Sequence, residues 1–425
     1  MSSIVTATVR RMPEAAFAVG ITGVAAAAGV ISVLRPSLSL VIVLGGVVLA
    51  AVSQQPVILA VLAVPAMFGA VDLGVGGGLG VSDAVLISAS ALALPALMRT
   101  HVRGATSPVM CLLALYLALL LPSLAANVNA AAVLEWVHRA VLVGSALVVG
   151  AWIRAEHRER SALRAITAAA CVVAASAVLG ALKNGFEPVF PLIYHKNYAG
   201  TLLALVLVLV LVLPHVVALR GVLRPLVLLL LTLGTLATQS RGALLGAALG
   251  VLIWFFSPGS GPSATGKTRI LGLLVAVGFG TFASFSVQQQ LTAANLETNS
   301  AGVRFDVEAA TRDLWRDSPV VGVGLRYFNT GDYGRFVTAS NNALNSEMAE
   351  SGIIGTTGFV VLHVGTVIVL VKRRQSPLAA AALAVFSGQL LHGMVDIYWS
   401  SGLTPLPFLV AGMALADRDV ESRAA

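Results

Sequence analysis

The residues able to do chemistry in this chain are few and lie far apart in sequence. Thr238-Gln239-Ser240-Arg241-Gly242 interrupts two apolar stretches with almost no loop, so Arg241 is a cation with little solvated chain around it. A cation so placed is costly unless an anion meets it. His195-Lys196-Asn197 opens a second apolar stretch, and Glu135, His138 and Arg139 occupy one turn of a third. His392 and Asp396 are four residues apart near the end of a fourth, and Arg304 lies in the one long hydrophilic segment. A guanidinium presents two parallel N–H donors that match two phosphate oxygens. Arg241, Arg304, Lys196 and Arg139 therefore read together as a basic cluster able to hold a diphosphate. Each candidate also has a plain structural reading. Glu135 and Arg139 make a self-neutralising i,i+4 pair, Lys196 can snorkel toward headgroups, and Arg241 can anchor the end of a span. His392 and Asp396 can be a helix-packing hydrogen bond.

What must position these groups is a membrane bundle. Of 425 residues, 57% are apolar and only 11% are Asp, Glu, Lys or Arg. A soluble domain carries about 25% charged residues, and a disordered chain needs low hydrophobicity, so both classes are excluded. A span takes about 20 apolar residues. Apolar runs predict fourteen spans, near 14–33, 37–53, 56–72, 81–98, 108–125, 132–153, 163–182, 198–219, 223–239, 241–257, 269–287, 347–371, 377–396 and 403–416. The shortest are the least secure, which gives an all-α polytopic protein of about 12–14 transmembrane helices.

Charge sets the orientation. With the N-terminus inside, inner segments hold seventeen Lys and Arg, whereas the short outer loops hold only Arg35, Lys183, Lys196 and Arg241. That asymmetry satisfies the positive-inside rule and absorbs most of the net +8, so the basic balance is no nucleic-acid footprint. Both termini are then cytoplasmic. Residues 1–287 form an N-terminal group of about eleven helices, 288–346 an outer loop, and 347–425 two or three further helices with an inner tail. A loop this long is uncommon without a function. Within it, Val303 to Trp315 has helical spacing, with Val303, Val307, Ala310 and Leu314 as an apolar stripe and Arg304, Glu308 and Arg312 on another face. Pro319 ends that helix and Gly322-Val323-Gly324 turns after it.

Other motifs carry less. Gly261 to Thr268 fits the phosphate-loop pattern GxxxxGK[ST], but it follows a membrane span rather than a buried strand, so no nucleotide is expected. Asp417-Arg418-Asp419 resembles a metal-binding DxD yet sits in the inner tail. Cys111 and Cys171 lie inside apolar runs and have neither disulfide nor metal-ligand spacing. No metal site and no cofactor are expected.

Taken in order, Ser240-Arg241-Gly242, Arg304, Pro319-Val320-Val321-Gly322-Val323-Gly324 and Glu350-Ser351-Gly352-Ile353-Ile354-Gly355 resemble the O-antigen ligase and polymerase family. The resemblance covers roughly Tyr194 to Leu409. It implies a GT-C-like membrane glycosyltransferase of the bacterial plasma membrane. Such an enzyme transfers a glycan from a polyprenyl diphosphate carrier to an acceptor hydroxyl on the outer side, inverting the anomeric centre without metal or nucleotide. The partners implied are the lipid-linked donor, a glycan or glycolipid acceptor and the bilayer. Arg241 and Arg304 match the family's arginines and would stabilise the leaving diphosphate. Asn341 stands where the family commonly has a histidine proposed as general base, while Asn342 matches the family's asparagine. An amide cannot accept a proton at useful pH. Glu347, His195, His392 and Asp396 are the candidates to replace it. The rival class is a transporter or flippase of lipid-linked or small solutes, which polar midplane residues and two matching halves would favour; neither pattern is present.

Overall fold

The computed structural model describes residues 52–68, 80–100, 106–185, 189, 191, 195–257, 272, 278–279, 282, 300–329, 340–396, 398–399 and 403–416, with the backbone alone at 99–100 and 300–305. The chain divides into two compact units, residues 1–58 and 59–425. Of the first, the described part is 52–58, where helix α1 (Val57–Ala66) begins. The expected span near 14–33, nearly all of those near 37–53 and 269–287, the phosphate-loop match and Asp417-Arg418-Asp419 lie outside the described residues.

Beyond α1 the described residues form helices α2 (Val81–Thr100), α3 (Thr106–Leu119), α4 (Leu121–Ala126), α5 (Ala130–Ala140), α6 (Ala146–Ala155), α7 (Glu159–Lys183) and α8 (Lys196–Val212). Then follow α9 (Pro214–Val217), α10 (Leu223–Thr238), α11 (Arg241–Phe255), α12 (Ser300–Asp317), α13 (Ala343–Lys372), α14 (Pro377–Gly393) and α15 (Pro405–Leu415). No strand occurs among the described residues, and five helical segments are long and apolar enough to cross a membrane. They are Val81–Met98, Thr106–Ala126, Ala130–Ala155, Glu159–Lys183 and Ala343–Lys372, with six shorter apolar helices beside them. The protein is an all-α polytopic membrane protein.

Burial follows composition. α8 is apolar on every side, and each residue from Ala199 to Val212 is buried. A helix hydrophobic all round belongs inside a bundle, and α8 packs against α7, α10, α11 and α14. α11 and α14 cross closely because Gly246 faces Gly388: a β-carbon on Gly246 would stand 2.6 Å from the Gly388 carbonyl. Small residues allow such approach where lipid supplies no hydrophobic drive. Between α5 and α6 the helix continues through a π segment, Val141–Ser145.

The α12 helix forms as its spacing predicts and extends a little at both ends. Its buried face, however, is Val307 with Thr311; Ala310 and Leu314 are only half-buried.

Candidate functional site

Three helix ends meet at one place. α8 starts at Lys196, α11 starts at Arg241, and α14 ends at Gly393. Gly200 lies against Thr238 and Ser240, since a β-carbon there would stand 2.5 Å from Thr238 Oγ1 and 2.8 Å from Ser240 Cβ. A β-carbon on Gly242 would stand 2.8 Å from His392 Cδ2. The structure thus gathers His195, Lys196, Arg241, His392 and Asp396 at the same end of α8, α11 and α14. Two helix N-termini with their partial positive charge share that end with Lys196 and Arg241, both half-buried.

Local structure fixes each side chain. Gln239 adopts a left-handed conformation (φ 51°) that closes α10, and Ser240 returns to extended backbone (ψ 101°), so α11 begins at once with Arg241. His195 is the N-cap of α8, and its Nδ1 accepts from Asn197 N at 3.3 Å. The neutral ring therefore carries its hydrogen on Nε2. His392 is buried, with Nε2 2.7 Å from Thr201 Oγ1 and 3.9 Å from Asp396 Oδ2. The Thr201 hydroxyl donates to Asn197 O at 2.7 Å, so the hydrogen between Thr201 and His392 comes from the ring, and Nδ1 is the acceptor of its neutral form.

A second layer surrounds the start of α13. Asn342 is its N-cap, and Oδ1 accepts from Leu344 N at 3.0 Å and Asn345 N at 3.1 Å. This asparagine, which matches the family's and is a candidate substrate contact on that resemblance, has its carbonyl committed to the helix. Glu308 of α12 accepts from Ser340 Oγ and Asn345 Nδ2, docking α12 onto the beginning of α13. Arg304 lies one turn before Glu308 on α12, with its side chain outside the described residues. Asn341 is half-buried immediately before the cap.

Arg139 differs from the expectation that grouped it with the other cations. It is 1% exposed, and every nitrogen of its guanidinium donates to a protein oxygen. Nε reaches Glu135 Oε1 at 3.0 Å, one terminal nitrogen meets Glu347 and the Tyr116 hydroxyl, and the other meets Glu350 Oε2 at 2.7 Å. The guanidinium carbon lies 5.1 Å from the Trp399 ring centre, and Trp399 stacks on Tyr116. The i,i+4 pair with Glu135 is present, but it is one side of a cage with three carboxylates. Glu347, a candidate base, is equally committed. Besides Arg139 it accepts from Tyr116, Ser351 and Trp399 Nε1, and it is 1% exposed. Both oxygens of this carboxylate are taken up by donors inside the cage, which leaves no lone pair for an acceptor hydroxyl.

The cage supports a break in α13. Gly352 has φ 61° and ψ −167°, interrupting the helical ladder, and the turn of Pro319 to Gly324 fills the gap. Val323 N donates to Ala349 O (2.8 Å) and Gly324 N to Glu350 O (3.0 Å), while Ile353 N donates to Pro319 O (2.9 Å). Backbone groups of α13 on both sides of the break are thus matched by groups of the turn, as burial requires. The fit needs glycine on both sides: a β-carbon on Gly322 would stand 2.4 Å from the Glu350 carbonyl, and one on Gly352 2.3 Å from that of Val320. The Glu350 carboxylate also takes the backbone N–H of Arg326. Tyr116 and Trp399, which complete the cage, carry no sequence signal beyond being aromatic residues in apolar surroundings.

Residues 226–360 match the family model described as O-antigen ligase. The matched segment contains Ser240-Arg241-Gly242, Arg304, the Pro319–Gly324 turn and the Gly352 break; Arg139, Lys196, His392 and Asp396 lie outside it. No curated protein matches the chain in sequence.

Proposed function

We propose that this chain, whose residues 226–360 match the O-antigen ligase family model, works in membrane glycan transfer and moves a glycan from a polyprenyl diphosphate carrier to an acceptor hydroxyl on the outer face of the plasma membrane. The observation that carries this reading is the meeting of two helix N-termini, Lys196 and Arg241 at one end of α8, α11 and α14. Charge builds on the diphosphate as the glycosidic bond breaks, and preorganised donors at that point lower the barrier most. Arg241 holds the diphosphate with Arg304, and Lys196 contributes a point charge. The polyprenyl tail lies along the apolar flank of the bundle. Attack by the acceptor oxygen from the opposite face inverts the anomeric centre.

The acceptor proton needs a destination. Asn341 offers only hydrogen bonds, Glu347 is spent inside the Arg139 cage, and His195 uses Nδ1 as a helix cap. The His392–Asp396 couple sits beside Arg241 and takes the proton as the diphosphate leaves. Reconstituted protein with labelled carrier-linked donor and acceptor should form a new glycosidic bond without any ion gradient. Arg241→Ala should leave carrier-linked glycan accumulating while the transferred product disappears. Product formed at the wild-type rate by Arg241→Ala would remove that arginine from the diphosphate.

A further inference from the structure

A cavity of ≈ 340 Å³ opens between the link joining α4 to α5 and the chain that follows the Gly322 turn. Asn127, Val128 and Asn129 line one side, and Val323, Gly324 and Tyr327 the other. Its walls are fixed by hydrogen bonds. Asn127 Nδ2 donates to Ser123 O and to Gly322 O, both at 3.3 Å, and Asn129 caps α5 by accepting from Ala132 N at 2.8 Å. Gly324, at φ 113°, lets the turn press against Asn127, where a β-carbon would stand 2.8 Å from Asn127 Cβ. Charge asymmetry places both segments on the outer side, and the fold brings them together.

Among the described residues, none that lines this cavity carries a charge. That separates it from the end of α8 and α11, where Lys196 and Arg241 stand. An uncharged wall of peptide groups, side-chain amides and one phenol does not suit a diphosphate. It does suit a neutral polyol: amides and peptides pair with hydroxyls, and an aromatic ring takes the C–H face of a sugar while its hydroxyl makes a further bond. The volume falls at the small end of ligand pockets, about 300–1,000 Å³. Val128 stands at the rim, 73% exposed and free of core packing.

We propose that this cavity is a sugar subsite that binds neutral residues of the glycan chain. The proposal rests on the glycan-transfer reading for its ligand class, and it adds a second site that orients sugar while the cationic helix ends hold diphosphate. The sugar can belong to the donor glycan or to the acceptor, since both present the same chemistry.

The test uses the full chain in nanodiscs, with the methyl glycosides of glucose, galactose, mannose, rhamnose and N-acetylglucosamine as probes, read by saturation-transfer NMR. Wild type and Val128→Ala should bind at least one glycoside, and Val128→Trp, which fills the cavity from its exposed rim, should weaken that binding at least about tenfold. If Val128→Trp does not fold, Tyr327→Ala replaces it with the same expectation. Equal binding by wild type and the filled variant, or binding of no glycoside, overturns the proposal. In membranes supplied with carrier-linked glycan from the same cells, slowed transfer by Val128→Trp that extra acceptor relieves assigns the sugar to the acceptor. Relief by extra donor assigns it to the donor, and wild-type transfer under every condition overturns the site. Arg241→Ala keeps the two readings apart: it should abolish transfer and leave glycoside binding intact. Wild-type protein that binds glycoside but transfers nothing defeats the transfer reading while the sugar site stands.

Discussion

The Arg139 guanidinium donates to the Glu350 carboxylate across 2.7 Å, and the carbonyl of that same Glu350 accepts the N–H of Gly324 at 3.0 Å. One residue of α13 thus joins a buried cation from α5 to the turn that follows α12. The turn forms one wall of the cavity beside Asn127, so the cage positions that wall.

Arg139→Ala leaves Glu347 and Glu350 with no cation and Glu135 with His138 alone, 3.8 Å away, in a place where the three carboxylates are 1%, 7% and 8% exposed. Breaking a buried ion pair costs about 3–5 kcal/mol. The thermal midpoint of the purified protein should fall sharply. Arg139→Lys should recover only part of the loss, because an ammonium is one point charge and cannot span three carboxylates. An unchanged midpoint for Arg139→Ala would show that the cage does not stabilise the bundle.

Gly352→Ala places a methyl group where the Val320 peptide already stands, on backbone at φ 61°. Strain of that backbone region costs on the order of 1–3 kcal/mol, and the clash adds to it. Limited proteolysis after Pro319 should accelerate, and transfer should fall with it. Gly322→Ala, whose β-carbon meets the other half of the same contact, should behave alike. Wild-type proteolysis in both would refute the interlocked turn.

Thr201→Val removes the oxygen to which His392 Nε2 donates. Leaving a buried donor without its acceptor costs about 1–3 kcal/mol in stability, and the ring loses the partner that fixes its tautomer. Thr201→Ser should keep transfer near wild type, while Thr201→Val lowers kcat with little change in donor KM. Equal rates for the two variants would take His392 out of the proton path.

Asn342→Ala removes the cap of α13 and should cost about 0.5–2 kcal/mol, read as a lower midpoint. Asn342→Asp and Asn342→Ser preserve an acceptor oxygen and should restore both midpoint and transfer. Transfer lost in all three with midpoints intact would give Asn342 a direct substrate contact instead.

The sequence alone determined the membrane class, most helix boundaries among the described residues and the Ser240-Arg241-Gly242 interruption. Those features are local or additive: hydropathy is summed over neighbours, and a tight break between two apolar runs is visible in one stretch. The predicted run 223–239 became α10 and 241–257 became α11 because a nearly continuous apolar run satisfies its backbone locally as a helix, with no need of a distant partner. The fate of Arg139 was not legible in that way. Its partner four residues away was visible, whereas Glu347, Glu350 and Tyr116 come from other helices and Trp399 from the link between α14 and α15, and they meet it only when α3, α5, α13 and that link pack. An arginine that would bind an anion and one caged by carboxylates look the same in one dimension, because the difference is the field created by distant groups. The Gly322-Val323-Gly324 turn was likewise readable, but Gly352 falls inside the run 347–371 that predicts one unbroken span, and the interlocking depends on a helix broken there and on backbone hydrogen bonds exchanged between 319–324 and 349–353. Only the tertiary structure decided which buried charges are scaffold and which remain for chemistry, since burial and pairing are properties of the packed bundle.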